Sequence, residues 1–116
     1  MKEGSTLIDH TTSSPDLAEQ IFAEAAKRNI HSVDAPVSGG DIGARNGKLV
    51  TMVGGTEQGV QNVRELLEIY SVEVQHMGTC GAGQHTKMAN QMMIASTMVG
   101  LCESLLYAQK AGLNHD

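Results

Sequence analysis

The sequence predicts an α/β fold that ends in one long helix. Short apolar runs of strand length alternate with stretches whose apolar residues recur at three- and four-residue steps. Loops rich in glycine and hydroxyl residues separate them. From Gln84 to Ala111 the helical period then runs on without a proline.

Thr6-Leu7-Ile8-Asp9 is the first strand, and His10 to Pro15 is a hydroxyl-rich loop. Ser14 can cap a helix that has Pro15 at its first position, with Asp16 and Glu19 at the positive end. Leu17, Ile21, Ala25 and Ala26 give this helix, Pro15 to Arg28, its apolar face, and Asn29 ends it. Ile30 to Asp34 is the second strand; strand, helix, strand is the grammar of an α/β sheet. Ala35 to Lys48 contains five Gly or Pro residues and reads as a loop or short irregular turn. Leu49 to Gly54 is a strand. Thr56 can cap a helix from Glu57 to about Ile69 with Val60, Val63, Leu66, Leu67 and Tyr70 inward, and Val72 to Met77 alternates like an edge or half-buried strand. The Gly78 loop leads into the last helix, about 40 Å long at 1.5 Å per residue. Its stripe is Met88, Met92, Ala95, Val99, Cys102 and Leu106, and Gly112 is its stop signal.

With 116 residues the chain suffices for one small domain with a core. A net charge of -5 and no basic cluster argue against nucleic acid or an anionic membrane surface as partner. No run of 18 apolar residues or signal-peptide pattern occurs, so no membrane partner is expected. Cys80 and Cys102 lie far apart and read as reduced intracellular thiols. With one Phe and no Trp, the core must come from Val, Leu, Ile, Met and Ala, and the methionines of the long helix read as core filler. His10, His31, His76, His85 and His115 show no metal-ligand spacing, so no metal is expected.

Lys87 stands near the entrance of the long helix, behind Gly81 and Gly83. A lysine beside a substrate can give a proton to a carbonyl oxygen or take one from a hydroxyl. Asn90 and Gln91, three and four residues on, lie on the same side of the helix. The plainer alternative is a surface lysine at a helix start. Ser38-Gly39-Gly40 can turn successive backbone N–H groups toward a carboxylate or phosphate, or be an ordinary glycine turn. It is no Walker loop, because Ile42 and Leu49 fall where Gly and Ser or Thr are required. G-x-G-x-x-G is absent from the chain, so no complete dinucleotide fingerprint is encoded in it. Thr11 and Thr12 follow a strand, at the sheet edge where ligands of α/β proteins sit.

Together these pieces resemble the β-hydroxyacid dehydrogenase family, which includes 3-hydroxyisobutyrate dehydrogenase and the tartronate, succinic and glyoxylate semialdehyde reductases. The family's D-x-P-V-S-G-G-x-x-G-A-x-x-G-x-L is met by Asp34, Pro36, Val37, Ser38, Gly39, Gly40, Gly43, Ala44, Gly47 and Leu49. Its G-x-G-x-x-x-K is met by Gly81, Gly83 and Lys87. Asn90-Gln91 is similar to the tartronate semialdehyde reductase branch, and Met88-Ala89-Asn90-Gln91 differs from the 6-phosphogluconate dehydrogenases.

The resemblance implies that Lys87 is the catalytic proton donor and acceptor, while Ser38, Gly39, Gly40, Asn90 and Gln91 bind substrate. It implies that Thr12 touches the cofactor, NAD or NADP, and that the substrate is a small carboxylate. The implied fold is the C-terminal portion of a Rossmann-like NAD(P)-binding domain over residues 1–80. Residues 81–116 are then an interdomain helix opening an all-α domain. The chain is thus expected to be a central fragment, inactive alone, with a sheet edge and a helix stripe uncovered, and hence a homo-oligomer. The expected compartment is intracellular, cytoplasmic or mitochondrial. The competing expectation is a non-catalytic truncated module kept for dimerisation or partner binding.

Overall fold

The computed structural model describes residues 1–114. In chain order the elements are β1 (Thr6–Asp9), α1 (Pro15–Ala26), β2 (His31–Asp34), β3 (Val37–Ser38), α2 (Gly40–Arg45), β4 (Leu49–Gly55), α3 (Glu57–Glu68), β5 (Ser71–Gly78) and α4 (Ala82–Lys110). One mixed sheet results. β1 runs parallel to β2, β2 and β3 both pair antiparallel with β4, and β5 lies parallel to β4.

The loop after β1 and the single residue Thr56 after β4 hand the chain to helices through the caps the sequence predicts. Ser14 Oγ accepts from the Leu17 amide at 3.2 Å, and Thr56 Oγ1 accepts from the Gly59 amide at 3.1 Å. Each such cap contributes about 1 kcal/mol by satisfying a helix-end donor. α1 ends two residues before Arg28, because Asn29 turns left-handed (φ 51°) and the Ile30 amide reaches back to the Ala25 carbonyl. Gly112 (φ 73°) closes α4 as predicted: the Leu113 amide bonds the Ala108 carbonyl and the Gly112 amide bonds that of Gln109.

The core is Val33, Ala35 and Val53 from the sheet against Val60, Val63 and Leu67 of α3. Successive strand residues point to opposite faces, so Val33 faces α3 while Asp34 faces the first turns of α4. Three expectations need correction. The stretch from 35 to 48 is not simply a loop, since it contains β3 and α2. Leu66 is half exposed rather than inward. The methionines of α4 fill no core: Met92, Met93 and Met98 are exposed, because past its first turns α4 leaves the sheet and nothing among the described residues covers it.

Candidate active site

Lys87 lies in the second turn of α4 and is only 8% exposed, and its Nζ donates to the Val37 carbonyl at 2.8 Å. This rules out the freely exposed surface lysine. Its placement follows from how α4 begins. Gly81, at the N-cap, has φ 87° and offers no side chain to the free helix amides. Asp34 supplies that cap from β2, 2% exposed, with Oδ1 accepting from the Gly81 amide at 2.8 Å and Oδ2 from the Gln84 amide at 2.9 Å. Gly83 then passes so close to the sheet that a Cβ there would stand 2.5 Å from the Met52 carbonyl and 2.7 Å from that of Asp34. Thus both glycines of G-x-G-x-x-x-K serve to press the helix start onto β2 and β4, and Lys87 is carried over β3.

Val37 precedes Ser38, so the lysine meets the predicted carboxylate loop. Ser38 is half-buried and pairs with Val50, while Gly39 (φ 130°) and Gly40 (φ 62°) are exposed at the start of α2. Gly39 and Gly43 lie against Leu49: a Cβ on either would meet its Cδ2 at 3.1 or 3.3 Å. Asn90, one turn beyond Lys87, is half-buried, and its shielded Nδ2 has no hydrogen-bond partner. Gln91 is exposed. The structure therefore joins Lys87 to the Ser38 segment and leaves a spare donor at Asn90, whereas Gln91 stays exposed on the helix surface.

Thr12 is exposed in the loop after β1. That loop is tied to α4 by Gln84, a residue singled out only as the helix start from sequence. Fully buried, Gln84 accepts from the Ser13 amide through Oε1 at 3.0 Å and donates to the Thr11 carbonyl through Nε2 at 2.7 Å. Asp9 Oδ1 accepts from the amide and hydroxyl of Thr11. His10 donates from Nδ1 to the Ala35 carbonyl at 2.7 Å, and its Nε2 meets the Tyr70 hydroxyl at 2.8 Å. Sequence reasoning missed Asp34 as a cap and Gln84 and His10 as ties; a lone polar residue gives no sign of a partner 71 positions away.

Two other groups bear on the chemistry. The Cys80 thiol is pushed up to about 11 by burial, with Asp34 and Glu19 adding to it, and it donates to the Ala18 carbonyl. His85 is exposed, His115 lies outside the described residues, and among the described residues no His, Cys, Asp and Glu cluster could hold a metal ion. For a dinucleotide, the exposed Thr12 and the buried, unpartnered Ser13 hydroxyl at the carboxyl end of β1 fit one wall of a site. The phosphate-binding glycine fingerprint lies nowhere in this sequence.

Comparison with known proteins identifies relatives over nearly the whole chain. Residues 1–78 match the NAD binding domain of 6-phosphogluconate dehydrogenase, and residues 81–116 match the NAD-binding domain of NADP-dependent 3-hydroxyisobutyrate dehydrogenase. A probable mitochondrial 3-hydroxyisobutyrate dehydrogenase-like protein of Arabidopsis thaliana is 52% identical over 98% of this chain and 34% of its own length. The mitochondrial 3-hydroxyisobutyrate dehydrogenase of Mus musculus is 39% identical over 98% of this chain and again 34% of its own. The Mycobacterium tuberculosis 3-hydroxyisobutyrate dehydrogenase, solved with L-serine, superimposes with a TM-score of 0.86 at 36% identity, over 95% of this chain and 38% of that one. The chain thus spans about a third of the length of these curated relatives. Two consecutive domain matches, and a buried lysine set on a glycine frame beside Ser38, make this chain a member of the β-hydroxyacid dehydrogenase family.

Proposed function

We propose that the whole protein is an NAD(P)-dependent oxidoreductase that interconverts a small β-hydroxyacid and its semialdehyde. 3-Hydroxyisobutyrate, tartronate semialdehyde, succinic semialdehyde and glyoxylate are the substrate candidates. The observation that carries this reading is the buried Lys87 held at Val37, next to the Ser38-Gly39-Gly40 backbone. Bound NAD or NADP would supply the hydride acceptor or donor for the substrate carbon.

This chain's residues account for the remaining work. An ammonium has three donors, and Val37 uses one, which leaves two for a substrate oxygen. Lys87 gives its proton to the carbonyl oxygen as that becomes a hydroxyl, and takes it back in the other direction. Ser38 and the amides of Gly39 and Gly40 hold the carboxylate, and the spare Asn90 Nδ2 gives a further donor one turn from the lysine. Gln91, being exposed, reaches substrate only as its rim. Thr12 meets the cofactor from the loop after β1. L-Serine in the mycobacterial relative is itself a small acid with a β-hydroxyl. In this reading residues 1–80 end a Rossmann-like domain and residues 81–116 open an all-α one. The mitochondrial relatives support an intracellular site, mitochondrial or cytoplasmic.

The test is steady-state kinetics of the full gene product on these four substrates with each dinucleotide. Lys87→Met is expected to lower kcat by about 10²–10⁴. A loss of only a few-fold would remove Lys87 from the proton transfer. The uncovered apolar face of α4 favours a second reading, a non-catalytic module that binds through that helix. A full product that turns over none of the four would leave that reading in place.

A further inference from the structure

We infer that Gln84 is a positioning residue that sets the cofactor-side loop, residues 10–14, relative to Lys87; this rests on the dehydrogenase reading above. Gln84 is fully buried, and both ends of its amide are spent on the loop backbone, one on the Ser13 amide and one on the Thr11 carbonyl. Thr12 lies between those two anchor points, so the pair of bonds fixes the peptide segment that presents it. The Gln84 amide nitrogen is itself held by Asp34, which also holds Gly81, so the anchor has no slack on the helix side. Lys87 follows three residues later, one turn along the same helix. One side chain therefore spans the cofactor loop and the helix that carries the proton-transfer lysine.

The Ser13 hydroxyl supports the same assignment. It is buried and unpartnered, although the neighbouring amide of the same residue is bonded to Gln84. Thr11 and Ser14 spend their hydroxyls within the loop and the α1 cap, so the Ser13 hydroxyl is the buried one this backbone-held loop keeps for something else. Apolar contacts could have fixed the loop equally well, but they would not orient the peptide planes on either side of Thr12.

Gln84→Glu tests this without changing side-chain volume. A neutral carboxyl can still accept from Ser13 and donate to Thr11, whereas the ionised form can only accept, and it faces the Thr11 carbonyl with like charge. The charged or titratable groups on the elements that meet at this position include Asp9 and His10 beside Thr11, Glu19 of α1, Asp34 of β2, Cys80, and His85 and Lys87 of α4. Burial and the neighbouring carboxylates keep the new carboxyl neutral at the acid end of the working range, so the variant resembles the parent near pH 5 and departs from it near pH 8.

Two quantities are measured on the full gene product, as ratios of variant to parent at each pH: exchange of the Ser13 amide with deuterium, and the dissociation constant for NADH and NADPH by fluorescence. At pH 8 we expect faster exchange and dinucleotide binding weaker on the order of tenfold, both returning toward one at pH 5. KM for the dinucleotide should follow its dissociation constant, with kcat changing less. Unchanged exchange at pH 8 overturns the inference, whether or not the parent binds a dinucleotide. Faster exchange with unchanged dinucleotide affinity overturns it too, because the tether would then serve stability alone. A parent with no dinucleotide affinity at all counts against the dehydrogenase reading, and the positioning role falls with it. Gln84→Met, which keeps the shape and removes both bonds, should behave as the variant does at pH 8 at every pH.

Discussion

Gly83 shows how a motif letter becomes a physical requirement. Its neighbours at the closest approach are the Met52 and Asp34 carbonyls, which are backbone atoms of the sheet and cannot swing aside. Gly83→Ala must therefore lift α4 off β2 and β4, and should cost about 3 kcal/mol in urea unfolding, near the upper end for overpacking. Gly100, in the same helix, has open space at its Cβ position, so Gly100→Ala should cost nothing and gain up to about 1 kcal/mol from helix propensity; an equal cost at both positions would contradict the close-approach account of Gly83. Cys80 supplies a second test. With its thiol near 11 in the fold, about one molecule in a thousand carries the thiolate at pH 8. Raising the pH restores it, so its alkylation should climb steeply up to pH 11 and be slow below pH 9. Cys102 is exposed on α4. Peptide mass spectrometry after iodoacetamide at pH 8 should find Cys102 labelled well before Cys80; equal labelling would contradict the burial described.

The elements were legible where local chemistry decides them. Ser14 with Pro15 and Thr56 before an amphipathic run are cap signals that act within one helical turn, and both hold. Lys87 with its two glycines was legible as a group because the spacing is short. What the sequence concealed depends on distant partners. α2 contains Gly40 and Gly43, residues that disfavour helix, yet it forms because Gly43 is buried against Leu49 across a turn. β3 is two residues long and exists only as an antiparallel continuation of β2 along β4. Met92 lies on the predicted stripe of α4 and Met93 and Met98 lie off it, yet all three are exposed, because periodicity marks a helix and not what lies against it. Gln84 was hidden for a related reason: its value comes from Thr11 and Ser13, far away in sequence.

The whole molecule carries the consequence of that uncovered stripe. The Cα radius of gyration is 18.3 Å, against about 13 Å for a compact chain of this size, and the extents are 64 × 29 × 20 Å. The excess is the outer part of α4, where Met92, Met93, Ile94, Met98, Val99, Leu101, Leu105 and Leu106 are all 41% to 66% exposed. Apolar residues occur all around this segment, which is the pattern of a helix enclosed on several sides. β1 also pairs on one edge only among the described residues, leaving a row of backbone groups free. The 116-residue chain on its own should therefore self-associate, giving a dimer or larger species in sedimentation velocity at micromolar concentration. Lysines in place of Val99 and Leu106 should shift it toward monomer, since two charges on a buried helical face oppose association. A clean monomer for the parent chain would contradict the argument. Should the full gene product also associate, and the same two lysines disrupt it, then α4 meets a second copy in the complete protein. If they instead destabilise it without changing its oligomeric state, α4 is covered by the protein's own chain, as an interdomain helix requires.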